Sequence, residues 1–435
     1  MDYLYYSVIL FNIATYGYLV AAIYLTFLLA TKKTKGLGFF RVMATIVVAA
    51  HTVALLCRWL QAGFDRPPWT NLYESLIFFS WGMGLVSTVV VLRYRTYFLT
   101  TILYPLAFAG LGLASLVPEK GITPLVPSLQ SYWIKIHVVM ASMAYPGFIT
   151  AGAVSLAHLF KSGTRMEKLN IGFAALAVFF LSVVGQGDVL LRGTFHLAQM
   201  FLQDGQWHKI PVDATAKPIA WVQTVVPVAG KIFLTTIVFY ILNIGYALGA
   251  LKDAENPLWQ KMCRVFQVLS LTGFAALLGV IYYNIATRSD LALSGNAYSM
   301  AILCIVFGVQ VLFLLYSFFR PAFDAALPAT DWLEEFAYKV TLFAFPFMTL
   351  LLITGAIWAY SAWGRYWGWD PKETCALITW LIFAGYLHSR KNRGGATAVS
   401  DRTSSVISVI GAISVFFTFL GANLLLSGLH AYGAQ

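Results

Sequence analysis

Apolar runs of about 20 residues, the length that crosses a bilayer as a helix, recur along the whole chain between short polar connectors. None shows the strict in-out alternation of membrane barrel strands. In lipid only helices or closed barrels satisfy the backbone, so the pattern predicts an all-α, polytopic transmembrane bundle. Twelve spans are expected, at about 5–30, 40–61, 73–92, 97–117, 132–158, 169–186, 220–250, 265–287, 297–319, 337–361, 373–390 and 404–428. The longest connector, 187–219, is expected to hold one short interfacial helix around FHLAQMFLQ (195–203) and nothing larger.

The connectors alternate in charge. Lys and Arg collect in TKKTK (31–35) with Arg41, RYR (93–95), KSGTRMEK (161–168), Lys252 to Arg264, Arg320 with Lys339, and HSRKNR (388–393) with Arg402. These hold 18 of the 29 basic residues, which marks that side as cytoplasmic. Both termini then lie on the external side, with the 62–72, 118–131 and 187–219 connectors and the stretch WGRYWGWD. The even number of spans fits that parity.

Composition agrees. The chain has 435 residues, 59% hydrophobic and 11% charged, against about 25% charged in soluble domains. Retained inner-face cations explain most of the net charge of +11, so nucleic acid is not an expected partner. The four cysteines, Cys57, Cys263, Cys304 and Cys375, form no CxxC or CxxCH, which excludes a dithiol oxidoreductase of that type and a c-type cytochrome. The first apolar run has no basic residues before it, so it reads as a retained span.

The densest chemistry lies in WGRYWGWDPKET (363–374). Aromatics at a span's outer end are expected of any membrane protein, but four in seven residues, bracketed by glycines, make a stacking surface for a flat ligand. Arg365 and Lys372 add donors for carboxylates, or simply anchor the interface. Flat, apolar and dianionic describes haem with its propionates. DPKET is also a helix start, with Asp370 as N-cap, Pro371 at N1 and Glu373 at N3. Asn71 and Glu74 repeat that grammar before the third span.

Of seven histidines, His137, near the outer end of the fifth span, and His430, just past the last span, share a face with the tryptophan stretch. Two imidazoles and a stacking platform at one depth suit the axial ligation of haem. His388 lies 18 residues after Asp370 on one helix, roughly 27 Å away toward the inner face, where a second haem position is open to it. His158 is at a similar depth, His51 is mid-membrane, and either is structural or a second inner ligand. His196 and His208 are expected to be solvated.

Four segments resemble the CcsA/ResC proteins of system II cytochrome c biogenesis: LITGAIWAYSAWGRYWGWDPKETCALITWLIFAGYLHSR (352–390), NLYESLIFFSWG (71–82), LVPSLQSYWIKIHVVMASMAYPGF (125–148) and GANLLLSGLHAYG (421–433). The tryptophan motif alone is shared with the related CcmC and CcmF proteins; PKET and YLHSR point to CcsA. The resemblance implies that His137 and His430 are the axial ligands of haem b at an external site. It implies that Trp363, Trp367, Trp369 and Asp370 form the haem-facing motif and that His388 ligates haem within the membrane. It implies a cytochrome c haem lyase working with a CcsB/ResB-like partner on the CxxCH of apocytochrome c, in a bacterial inner or thylakoid membrane. The expected organisation is a five-span part (1–160), a four-span insertion relative to the family (161–320) and a core carrying the tryptophan motif and the C-terminal histidine (321–435). Two other readings stand beside it: a haem transporter or chaperone that attaches nothing, and a structural subunit with a vestigial haem motif. A quinone-binding redox subunit would need paired haem histidines, which only His158 with His388 could supply.

Overall fold

The computed structural model describes residues 3–31, 33–63, 66–68, 72–116, 122, 130–184, 194–203, 206–209, 222–225, 228–286, 291–292, 297–391 and 400–421. Among these are twelve long α-helices, each meeting one of the twelve expected spans. They are α1 (Tyr3–Ala30), α2 (Leu37–Ala62), α3 (Leu72–Tyr94), α4 (Thr100–Leu116), α5 (Tyr132–Lys161), α6 (Met166–Val184), α7 (Ala229–Lys252), α8 (Pro257–Ala286), α9 (Ala297–Ala326), α10 (Thr330–Trp363), α11 (Pro371–Lys391) and α12 (Asp401–Phe416). A π-helical turn, Phe417–Gly421, extends α12. Nine of the described helices are long and apolar enough to cross a membrane. The protein is a polytopic helical membrane protein.

The chain forms two compact units. The first comprises Met1–Gly163 and Asp324–Gln435, the second Thr164–Phe323. In the first unit, α5 is the central helix: it packs along α10 and α12 and touches α3. From Ser142 onward its small residues, Gly147, Ala151, Gly152, Ala153, Ser155 and Ala157 among them, are buried. Small faces let helix backbones approach where lipid supplies no hydrophobic drive between helices. Phe148 of α5 stacks on Phe383 of α11 at 3.7 Å between centroids. Two part-buried indoles donate across helices, Trp81 Nε1 to Thr52 Oγ1 and Trp380 Nε1 to Thr349 Oγ1, both at 2.9 Å.

The second unit holds α6, α7 and α8 about a buried polar knot. Asn170 Nδ2 donates to Asn243 Oδ1 at 2.7 Å, Asn243 Nδ2 returns a bond to Asn170 Oδ1 at 3.2 Å, and Cys263 Sγ lies 3.0 Å from Asn170 Nδ2. The expected interfacial helix at 195–203 is corrected here. Residues Thr194–Gln203 form a strand, β1, paired antiparallel with β2 (Gln206–Lys209), β3 (Val222–Val225) and β4 (Leu291–Ala292). The register Gln203↔Gln206 flanks Asp204-Gly205, a dipeptide that favours two-residue hairpins. That local signal outweighs the weak helical pattern of FHLAQMFLQ.

A tryptophan platform and a seated histidine

The candidate site grows from the C-terminus of α10. That helix stops at Gly364, which is left-handed (φ 73°) and donates its N–H to Tyr360 O at 2.9 Å. Glycine is the residue such a helix end favours. The next five residues fold back on themselves. Tyr366 stacks on Tyr360 with centroids 4.5 Å apart and planes 9° apart. Trp363 meets Trp358 edge-on at 4.8 Å. Trp367 and Trp369 are perpendicular at 5.8 Å. Arg365 is exposed, yet its guanidinium lies across Gly368: a Cβ there would sit 2.7–2.8 Å from Cζ, Nε and Nη2.

Trp369 is the unusual residue. Its backbone is left-handed (φ 53°), and its side chain is 71% exposed. A non-glycine residue there costs of order 1–3 kcal/mol, so something must hold it. Glu373 does. Its Oε2 accepts the N–H of Gly368 at 2.8 Å and of Asp370 at 3.2 Å, one on each side of Trp369. Asp370, itself buried, caps α11: its Oδ2 accepts from Lys372 N at 3.2 Å and its carbonyl from Thr374 N at 2.9 Å. The expected helix start is therefore present: Asp370 caps, Glu373 at N3 reaches back to the Asp370 N–H, and the acidic pair sits at the positive end of the helix dipole. The bond from Gly368 extends it into the loop.

His137 comes to the same place from α5. Its Nδ1 lies 3.0 Å from Leu351 O of α10, and its ring stacks near Trp358 with centroids 6.1 Å apart and planes 26° apart. His137, Trp358 and Trp363 thus form one aromatic file that leads into the loop. Ser131, which caps α5, lies 3.4 Å from Ser361 across the same helix pair.

The other histidines separate. His430 and the cap residue Asn71 lie outside the described residues. His388 is exposed on α11, with Nδ1 2.8 Å from Ala384 O. His158 is buried against α12, with Nδ1 2.8 Å from Ser405 Oγ. The exposed ring and the buried one face different surroundings, so nothing in their contacts pairs them. His51 is buried in the α1–α2 interface with Nδ1 3.1 Å from Tyr18 OH. His196 and His208 lie on β1 and β2.

Two buried ion pairs were not anticipated. Glu74, expected only as a helix-start residue, accepts from Arg58 Nε at 3.0 Å and Nη2 at 2.9 Å, both side chains 1% exposed. Arg58 also lies over the Tyr73 ring at 4.8 Å. In the connector beyond α2, partial burial lowers the pKa of Arg66; Glu74 opposes that shift and Arg58 adds to it. Near the other end of the unit, Arg390 Nη1 meets Glu334 Oε1 at 2.7 Å. An ionisable residue inside an apolar run, as Arg58 is, was the available signal.

The family model of the cytochrome C assembly protein matches residues 69–282 and 292–430. The chain belongs to the cytochrome c assembly family, in its CcsA/ResC branch. It is 28% identical over 403 residues to the cytochrome c biogenesis protein CcsA of Nostoc punctiforme, covering 90% of this chain and 89% of that one. To CcsA of a Synechocystis strain it is 28% identical over 386 residues (88% and 84%), and to CcsA of Microcystis aeruginosa 27% over 402 residues (92% and 88%). The matched residues run through most of 161–320, the segment expected as a four-span insertion.

Proposed function

We propose that the chain holds haem b, as substrate, at the external membrane face and presents it to the CxxCH segment of apocytochrome c. The observation that carries this reading is the file His137–Trp358–Trp363, which joins an imidazole to a braced loop with an exposed indole. An imidazole holds iron, and an indole face covers a porphyrin. His430 is the second axial ligand in this reading. Arg365, lying across the loop, supplies a cation for propionates.

The reaction is addition of each CxxCH thiol across a haem vinyl group. Sulfur bonds to one vinyl carbon, the thiol hydrogen goes to the other, and no electrons are gained or lost overall. The chain's contribution is orientation and exclusion of side reactions. His137 and His430 fix the iron so that the vinyl edge faces the incoming segment, and the histidine of CxxCH then displaces one of them as product leaves. A CcsB/ResB-like membrane protein completes the lyase, and His388, open on the surface of α11, ligates haem on its way outward. The membrane is a bacterial inner membrane or a thylakoid.

The test is the absorption spectrum of the purified protein, then of His137→Ala and His430→Ala. Loss of the bis-imidazole spectrum in both supports the reading; an unchanged spectrum in both removes it. Co-expression with a CcsB-like partner and an apocytochrome separates lyase from carrier. Thioether product means attachment, and haem binding without product means transport alone.

A further inference from the structure

We infer that one face of α10, formed by Leu351, Gly355 and Trp358, is a seat that fixes the tautomer and orientation of His137, with Gly355 as the positioning residue. The inference rests on the reading of His137 as a haem ligand and adds what makes it a competent one.

The argument begins with the carbonyl. Leu351 O can only accept, so the Nδ1 that lies 3.0 Å from it carries the ring proton. In a neutral imidazole the lone pair is then on Nε2. A hydrogen bond from the other ring nitrogen to a backbone carbonyl is how proteins orient metal-binding histidines and raise their basicity. The contact needs the ring to lie almost on the α10 backbone, and only a missing side chain permits that. A Cβ on Gly355 would sit 2.8 Å from His137 Cε1 and 2.9 Å from Nδ1, closer than real contacts allow, but 3.9 Å from Nε2. The edge carrying Nδ1 therefore rests on Gly355, and Nε2 is the nitrogen held farther from that backbone. Trp358, one turn on and only 4% exposed, closes the upper side with its stacked ring. Residues 351, 355 and 358 lie at i, i+4 and i+7, one helical stripe. A glycine in a helix interior is about 1 kcal/mol worse than alanine, so its presence here calls for a packing reason, which His137 supplies.

The imidazole can swing about its own bonds, so Gly355→Ala is expected to displace the ring and leave α10 intact. We expect this variant to retain haem about 10- to 100-fold less tightly, the usual effect of losing an outer partner of a ligand. Its Soret and α-band positions should move toward those of His137→Ala, and free imidazole in the buffer should restore the wild-type spectrum in both. If His137→Ala changes the spectrum and Gly355→Ala does not, the seat is refuted while the ligand assignment stands. If His137→Ala changes nothing, the ligand assignment itself falls. Damage in Gly355→Ala that imidazole does not repair also refutes the seat, because the glycine would then serve the fold. A second measurement needs no glycine variant. In haem-free wild-type protein labelled with 15N-histidine, the resonance absent from His137→Ala should report a protonated Nδ1; a protonated Nε2 with bare Nδ1 overturns the inference.

Discussion

Glu373 holds the exposed tryptophan, and its removal should release the loop without unfolding the helix it begins. The Glu373 carboxylate accepts two N–H groups that bracket Trp369, whose left-handed backbone does not persist unaided. Hydrogen bonds to charged acceptors are each worth about 1.5–3 kcal/mol. Gly368 and its neighbours are part-exposed, so water takes over some of that loss. Glu373→Ala is therefore expected to shift the loop toward an open form by about 1–3 kcal/mol, roughly 5- to 150-fold. Relief of the Trp369 strain, also about 1–3 kcal/mol, pushes the same way. Glu373→Gln keeps an oxygen that can accept both bonds but lacks the charge, and charge-assisted bonds are about twice as strong as neutral ones. It should fall between wild type and Glu373→Ala. The assay is hydrogen–deuterium exchange of peptides covering 364–374 in nanodiscs, with circular dichroism as the control for α11. Exchange in Glu373→Ala as slow as in wild type would sink this account, as would Gln and Ala variants that behave alike.

Three further outcomes follow from the contacts. Arg58→Met or Glu74→Gln leaves its partner charged and buried, and should cost about 3–5 kcal/mol in thermal unfolding, whereas an apolar replacement of both should recover most of it; equal losses in single and double variants would contradict this. Gly368→Ala should displace the Arg365 guanidinium and so weaken haem retention as much as Arg365→Ala does, in a salt-dependent way if propionates are its partner; retention independent of both substitutions would leave Arg365 as an interface anchor. Trp358→Leu breaks two ring contacts of about 0.5–1.5 kcal/mol each, and combined with Glu373→Ala it should raise loop exchange by more or less than the sum of the separate effects; strict additivity would show that the file does not couple to the loop.

What could be read from the chain divides by the range of the interaction. Spans depend on the composition of 20 consecutive residues, and each expected span meets a helix. The cap at Asp370 and Glu373 lies within four residues and was equally plain. For β1 two local signals compete: the apolar letters of 195–203 fit a short helix, whereas Asp204-Gly205 after them favours a two-residue hairpin, and the antiparallel pairing with β2 follows the second. The Arg58–Glu74 pair spans 16 residues and two helices; Arg58 inside an apolar run was the clue, and its partner was hidden because Glu74 already had a local role. The contact of His137 with Leu351 spans 214 residues, beyond any local pattern. Only Gly355, a helix-weakening residue in a span, hinted that another group comes close.

The same division explains how the candidate site is built. Its parts are specified locally, the platform by its cap and the histidine by its place on α5, but their meeting is specified by α10. One stripe of that helix, Leu351, Gly355 and Trp358, meets His137, and its C-terminal residues, Tyr360 and Trp363, receive the folded-back loop. A single rigid helix therefore sets the distance between the imidazole and the indoles. The small buried face of α5 is what brings that helix close enough, since a bulkier face would separate the two backbones and lift His137 off its carbonyl. In the proposed function, holding a flat ligand therefore depends less on the number of rings in the tryptophan stretch than on the two anchors behind them: a carboxylate that bridges Trp369 and a helix that fixes the His137 ring beside it.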